Sequence, residues 1–258
     1  MKVELIAYTE GADHVCNLAA KNCVSEEMPE LFEMDAEGFV HLVDEECRSL
    51  RHALESGHES VAEHAVFTFS IEGISRACSH QLVRHRMASY SQQSQRYVKM
   101  NGFDYVTPES IDSCRWSEFK GYSEHKEPMY ETLQDDYEWL MEKIASIYRT
   151  MIDHGIPEED ARYILPNACC TNIVVTMNGR ELRHFFKLRC CNRAQWEIRE
   201  LADKMLEQVK EVAPILFENA GPQCKKLGYC PEAKGCGRYP PKVEALGLDM
   251  CVLSEVEE

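Results

Sequence analysis

The sequence predicts an α+β fold, with helices of mixed length packed around a small, mostly antiparallel sheet. Three observations carry this. Strand-like stretches are few, and only residues 66–71 and 173–177 are rich enough in β-formers to read as strands. Helical stretches are longer and more numerous, and they do not alternate with strands as a doubly wound parallel sheet requires. The chain also holds neither a GxGxxG segment nor a GxxxxGK loop. The fold is therefore read as non-Rossmann, and any dinucleotide is held by other means.

Taken in order, residues 9–23 read as a helix with Thr9 as its N-cap. Residues 44–55, beginning at Asp44, read as a second helix, stopped by Gly57. Residues 66–71 alternate and form a strand. Ser75 caps a helix running to about His85. Residues 124–154 form a long helical stretch closed by Gly155 and Pro157. Within it, the apolar spacing over residues 137–148 reads as core or subunit packing. Residues 173–177 form a buried strand, ended by Asn178-Gly179, and a helix follows to about Cys191. Residues 194–217 form a further helix, interrupted near Pro214. From Asn219 the composition turns to Gly, Pro and three spaced cysteines, then to an acidic end read as a solvated, frayed terminus. The expected organisation is one domain over residues 1–220 and a tail over residues 221–258.

With 258 residues, 44% of them hydrophobic, the chain supports one sizeable core. No apolar run is long enough to span a bilayer, and the acidic N-terminus does not read as a secretory signal. A cytoplasmic protein is expected, and the 13 cysteines are expected to be thiols. The net charge of −16 disfavours nucleic acid as a partner, because a basic footprint supplies most of such affinity. The cations are nevertheless concentrated. Residues 73–103 contain no Asp or Glu but hold Arg76, Arg84, Arg86, Arg96 and Lys99. Residues 161–196 contain a single acid, Glu181, among Arg162, Arg180, Arg183, Lys187, Arg189 and Arg193. Two cationic segments in an acidic chain point to a focused anion site, and arginine suits bidentate phosphate recognition.

The densest polar run is Arg84-His85-Arg86-Met87-Ala88-Ser89-Tyr90-Ser91-Gln92-Gln93-Ser94-Gln95-Arg96-Tyr97. Its arginines supply charge, and its hydroxyls and amides supply directional hydrogen bonds; a phosphate and a base edge need both. A solvated loop would account for the polarity but not for the absence of acids. This run resembles the signature of the flavin-dependent thymidylate synthase family: Arg84, His85 and Arg86, then seven residues, then Ser94 and Arg96. Four further segments are similar to the family in order and content. They are residues 58–64, Gln81 three residues before Arg84, residues 162–166, and Asn178-Gly179-Arg180 with Leu188-Arg189 and residues 194–198.

The resemblance implies FAD as cofactor, NADPH and methylenetetrahydrofolate as co-substrates, and reductive methylation of dUMP to dTMP. It implies that no enzyme nucleophile attacks the uracil, so Ser94 is a binding residue, and that a homotetramer shares each active site between subunits. It places Gln81, Arg84, Gln92, Gln93, Ser94, Gln95, Arg96, Arg162 and Arg189 at dUMP, with Arg96 and Arg162 on the phosphate. Arg189 is the implied catalytic residue, facing the uracil carbonyls and stabilising charge on the ring. His58, Ser60, Glu63, Arg84, His85, Arg86, Asn178, Arg180 and His184 fall at flavin positions. Two positions depart from the family pattern: Gln92 stands where Glu is frequent, and Arg193 where His is common.

Other signals are weaker. His58, Glu63 and His64 are spaced so that a helix would not bring all three to one face. Cys224, Cys230 and Cys236 would need a fourth ligand, from Cys47, Cys251 or the Cys190–Cys191 pair, to hold a structural zinc; the alternative is a reduced tail packed on the core. Competing functions are a methyltransferase acting on RNA uracil, which the charge disfavours, and a nucleotide-binding or zinc-stabilised interaction protein, which would purify colourless.

Overall fold

The computed structural model describes residues 1–34, 40–42, 46–112, 114 and 132–247. Its elements are β1 (Lys2–Tyr8), α1 (Ala12–Asn22), β2 (Phe32–Met34), β3 (Val40–Leu42), α2 (Arg48–Glu55), a 3-10 helix (Glu59–His64), β4 (Val66–Ser75), α3 (Arg76–Leu82), β5 (Ala88–Gln92), α4 (Leu133–Asp153), α5 (Glu158–Ala161), a second 3-10 turn (Arg162–Ile164), β6 (Cys170–Asn178), α6 (Gly179–Arg189), α7 (Trp196–Val212), α8 (Gln223–Leu227) and α9 (Lys242–Ala245). A small four-stranded antiparallel sheet has the order β1-β4-β6-β5. A separate pair, β2 with β3, is antiparallel, with Glu33 opposite His41. The α+β expectation holds.

Several boundaries differ from the sequence reading. Thr9 caps no helix: its N–H donates to Val66 O at 3.0 Å and its hydroxyl accepts the Val66 N–H at 3.0 Å, tying the end of β1 to the start of β4. The helix begins instead after Gly11, which takes a left-handed conformation with φ 61°. Asp44 and residues 124–131 lie outside the described residues; the described helices start at Arg48 and Leu133. Thr132 caps α4 by accepting the Asp135 N–H. β6 is not buried throughout. Ile173, Val175 and Met177 are buried while Val174 is exposed, so an unbroken apolar run serves a half-buried strand.

Two compact units emerge. The first comprises Met1–Lys2, Ile71–Arg84 and Ser91–Val174; the second comprises Val3–Ser70, His85–Tyr90 and Val175–Glu258. In the first, Met141 and Tyr148 of α4 are buried with Met100, Phe103, Ala161 and Cys169. Met141 and Tyr148 of the stretch 137–148 are thus core, whereas Leu140 and Ile147 of the same stretch are exposed. The fully buried Tyr148 accepts the Met100 N–H at 3.2 Å, so its hydroxyl is satisfied.

In the second unit a line of buried aromatics runs Phe67, Phe217, Phe186, Phe185, with successive ring centroids 5.2, 5.9 and 5.7 Å apart. α7 stops at Val212, and the turn after it is pinned by buried Asp13, whose carboxylate accepts the N–H groups of Ile215 at 3.0 Å and Leu216 at 2.7 Å. α6 is fixed just as firmly. Asn178 Oδ1 accepts the Glu181 N–H at 2.9 Å, and a Cβ on Gly179 would lie 2.7 Å from Ala62 O. Asn178-Gly179 therefore does more than end a strand: one residue caps the helix and the other permits its close approach to the 3-10 turn.

No described helix is long and apolar enough to cross a membrane. The twelve described cysteines are free thiols. Burial pushes the Cys16 thiol up to about 12 and the Cys169 thiol up to about 11, whereas Cys23 and Cys236 are exposed.

Candidate active site

Within the second unit, His85, Glu181 and Arg189 form one connected group. His85 Nδ1 lies 3.1 Å from Glu181 Oε1, and Arg189 Nε donates to His85 Nε2 at 3.1 Å. The histidine is buried, and its ring meets Phe185 edge-on at 4.9 Å and His184 at 5.9 Å. The Tyr90 hydroxyl donates to the His85 carbonyl at 2.8 Å. Burial pushes the His85 imidazole below its ordinary value, and Arg189 pushes the same way; the Glu181 hydrogen bond opposes both without reversing them. Arg189 is half-buried at the last residue of α6. It also borders a cleft of about 350 Å³ shared with Lys187, Arg193, Cys191, Cys224 and Cys230.

Elsewhere in the same unit, His58 and Ser60 line a cleft of about 590 Å³ with Arg48, His52, Val24 and Val61. Glu63 pairs with Arg180 at 2.5 Å, both half-exposed. Arg86 and His184 are exposed. Asn178 is committed through Oδ1 to its cap, which leaves its amide nitrogen for a ligand.

The first unit gathers the residues expected at a phosphate. Arg96 pairs with the Glu159 carboxylate at 3.2 Å, and Arg162 Nε donates to the Glu159 carbonyl at 3.0 Å. Both arginines thus converge on α5. Ser94 Oγ accepts the Arg96 N–H at 3.2 Å. Gln92 Nε2 donates to Ser79 Oγ at 3.0 Å and to Thr171 Oγ1 at 3.3 Å, which leaves its carbonyl as the acceptor a base edge would meet. Gln93 N–H donates to Asn172 O, and Gln95 Nε2 lies 3.9 Å from Cys169 Sγ. Gln81 is half-buried near the end of α3, and Arg84 is exposed two residues beyond it.

Comparison with known proteins places the chain in a family. Residues 4–215 match the family model described as thymidylate synthase complementing protein. The flavin-dependent thymidylate synthase of Geobacter sulfurreducens is 48% identical over 242 residues, covering 92% of this chain and 94% of the relative. That of Clostridium tetani is 44% identical over 249 residues, with the same shares covered. That of Pyrococcus horikoshii is 53% identical over 187 residues, 69% of this chain and 70% of the relative. The chain belongs to the flavin-dependent thymidylate synthase family.

One cleft has chemistry that fits a flavin, although of the nine residues expected at the flavin only His58 and Ser60 line it. A cofactor with an aromatic ring system and anionic phosphates needs apolar walls and cations together, and the His58–Ser60 cleft offers Val24 and Val61 beside Arg48 and His52. Three residues beside the candidate site of this flavin-dependent thymidylate synthase family member, Glu181, Glu159 and Arg76, carry no local motif. Glu181 is the solitary acid among six cations, and that isolation is its signal in the sequence. Glu159 lay outside the motif. Arg76, whose ionised form is disfavoured by burial and by Arg162, reads in the sequence only as one of the clustered cations. Arg193 pairs with Glu232 of the tail at 2.5 Å. Among the described residues no three His, Cys, Asp or Glu side chains are grouped to hold a metal, Cys224, Cys230 and Cys236 included; Cys251 lies outside those residues.

Proposed function

We propose that this protein converts dUMP, methylenetetrahydrofolate, NADPH and a proton into dTMP, tetrahydrofolate and NADP⁺. The observation that carries the reading is a family match over residues 4–215 that contains both the buried Glu181–His85–Arg189 group and the Arg96–Arg162 pair. FAD, when bound, supplies the hydride chemistry between NADPH and the one-carbon unit.

The chain's own residues bind, orient and stabilise charge. Arg96 and Arg162 take the nucleotide phosphate, with Ser94 beside them. Gln81, Gln92, Gln93 and Gln95 offer amides to the nucleotide. Arg189 faces the uracil carbonyls and stabilises negative charge as the ring becomes nucleophilic at the carbon that gains the methyl group. His58, Ser60, Glu63, Arg86, Asn178, Arg180 and His184 hold the flavin, and Arg84 serves both ligands in a homotetramer with shared sites; His85, expected among them, has both ring nitrogens engaged by Glu181 and Arg189 and serves the site through Arg189. The catalytic domain occupies residues 1–220, with a tail beyond it, and the working compartment is the cytoplasm.

Ser94 Oγ accepts the Arg96 N–H and is a ligand-shaping group rather than a nucleophile. Absorbance of the purified protein with FAD, titrated with dUMP and followed by a dTMP assay, tests the reading. The flavin band should shift with dUMP, and dTMP should form only with folate and NADPH present. Ser94→Ala should retain measurable turnover. A protein that binds no flavin under any condition would refute the assignment.

A further inference from the structure

We infer that Glu181 is a positioning residue for the uracil-facing arginine, acting through His85; the catalytic part of this rests on the dUMP reaction proposed above. Hydrogen-bond direction drives the assignment. A guanidinium has only donors, so the 3.1 Å contact from Arg189 Nε requires His85 Nε2 to present a lone pair. A neutral imidazole with a bare Nε2 carries its proton on Nδ1. That nitrogen faces Glu181 Oε1 at 3.1 Å, and a carboxylate oxygen is an acceptor. Every donor then meets an acceptor: Glu181 takes the Nδ1–H, and Nε2 takes the Arg189 Nε–H. In the opposite tautomer two N–H groups would oppose each other at Arg189, and a lone pair would face the carboxylate. The imidazolium fails at the Arg189 end for the same reason.

The surroundings hold this arrangement in place. The side chains of His85 and Glu181 are 4% and 11% exposed, so water does not offer easy alternative partners. Phe185 and His184 meet the ring edge-on, and the Tyr90 hydroxyl holds the His85 carbonyl. The titratable and charged groups facing the pair are Arg189 and His184 from α6 and Tyr90 from β5. Glu181 sits in the first turn of α6, where Asn178 caps its own N–H, while Arg189 is the helix's last residue. One rigid helix therefore carries both ends of the relay, and His85 bridges them. Arg189 is gripped at Nε, which leaves its terminal two-nitrogen fork to address a pair of carbonyl oxygens. A carboxylate suits the first position better than an amide, because an amide can present either an acceptor or a donor to the ring.

The test labels histidine side chains with ¹⁵N and identifies the His85 pattern by its loss in His85→Gln. The wild-type protein, without ligands, should show Nδ1 protonated and Nε2 bare. Glu181→Leu should lose that signature, and in the FAD-loaded enzyme kcat for dTMP formation should fall about 10- to 100-fold with a smaller change in the KM for dUMP. Glu181→Gln should be intermediate in both readouts, and it decides the question if Glu181→Leu does not fold. A protonated Nε2 in the wild type overturns the relay. So does a Glu181 variant that keeps the Nδ1–H signature and wild-type kcat. A wild-type protein that makes no dTMP, yet shows the signature and loses it on substitution, overturns the proposed reaction and leaves the relay standing.

Discussion

The two units handle arginine in opposite ways. In the second, Arg189 is held by a buried neutral ring, itself held by a carboxylate that is 11% exposed. In the first, Arg96 meets Glu159 directly, and both side chains are about half exposed, at 50% and 52%. The Arg189 arrangement is preorganised: low local dielectric and fixed rings make departure from the geometry unfavourable. The Arg96–Glu159 pair is replaceable, because an exposed pair contributes about 0–1 kcal/mol, and on the proposed reading an incoming phosphate offers the arginine a better partner than one carboxylate. Under the proposed reaction, the arginine that acts on the ring is built in advance, while Arg96, which captures the charged handle, is exposed.

This contrast can be broken most directly at Arg189. Arg189→Ala should reduce kcat/KM for dUMP about 10²- to 10³-fold, the range for removing one preorganised charge-stabilising donor, as read by initial rates of dTMP formation. A loss confined to KM would place Arg189 with the capturing arginines and erase the distinction.

A smaller effect is expected at the cluster on α5, where Arg96 is exposed and Arg162 half-buried. Arg162→Ala should raise the KM for dUMP roughly 10-fold with little change in kcat, about the contribution of one charge-assisted contact. Raising ionic strength should raise the wild-type KM in the same sense while leaving kcat nearly flat, because exposed charges are screened and the buried relay is not. A salt response in kcat would show that the relay is less secluded than its burial indicates.

The pH response sharpens the same comparison. His85 titrates below its ordinary value of 6.5 in the folded chain, so the unfolded chain takes up the proton first. The stability held by the neutral ring is complete above 6.5 and is lost as pH falls from there toward the folded value. Denaturant midpoints measured from about pH 7.5 to about pH 5.5 should decline more steeply for the wild type than for His85→Gln. Equal slopes would remove His85 from the acid response.

The smallest effect is expected at Glu159. Removing the carboxylate that occupies Arg96 should help a phosphate, so Glu159→Gln should tighten dUMP binding by at most about 5-fold, the equivalent of an exposed ion pair near 1 kcal/mol. Weakened binding would mean that Glu159 orients Arg96 rather than competing for it.

What was legible in the sequence follows the range of the interactions involved. Ser75 was read as a cap and accepts the Cys78 N–H, and Asn178 marked the strand–helix boundary that it caps; both signals act within three residues. β5 was not legible, because Ala-Ser-Tyr-Ser-Gln has little strand propensity, and its strand state comes from pairing with β6 at the sheet edge. β1 carries only a brief alternation, Lys2-Val3-Glu4-Leu5, before the apolar Ile6-Ala7-Tyr8, and its place at the other sheet edge leaves most of it exposed. At the site, the motif around Arg84–Arg96 and the individual arginines could be read. The partner that orients His85 could not, since Glu181 lies 96 residues away and no local pattern links them.

The free thiols have a consequence for following the molecule's own breathing. Only a thiolate alkylates, so a thiol held at about 12, like that of Cys16, is silent near neutrality until its surroundings open and its ordinary acidity returns. Exposed Cys23 and Cys236 should react at once, and buried Cys169 and Cys16 only as their own regions loosen. Cys169 lies in the first unit and Cys16 in the second. The native chain thus carries a clock in each unit, and the order in which mass spectrometry finds them modified would report which one opens first.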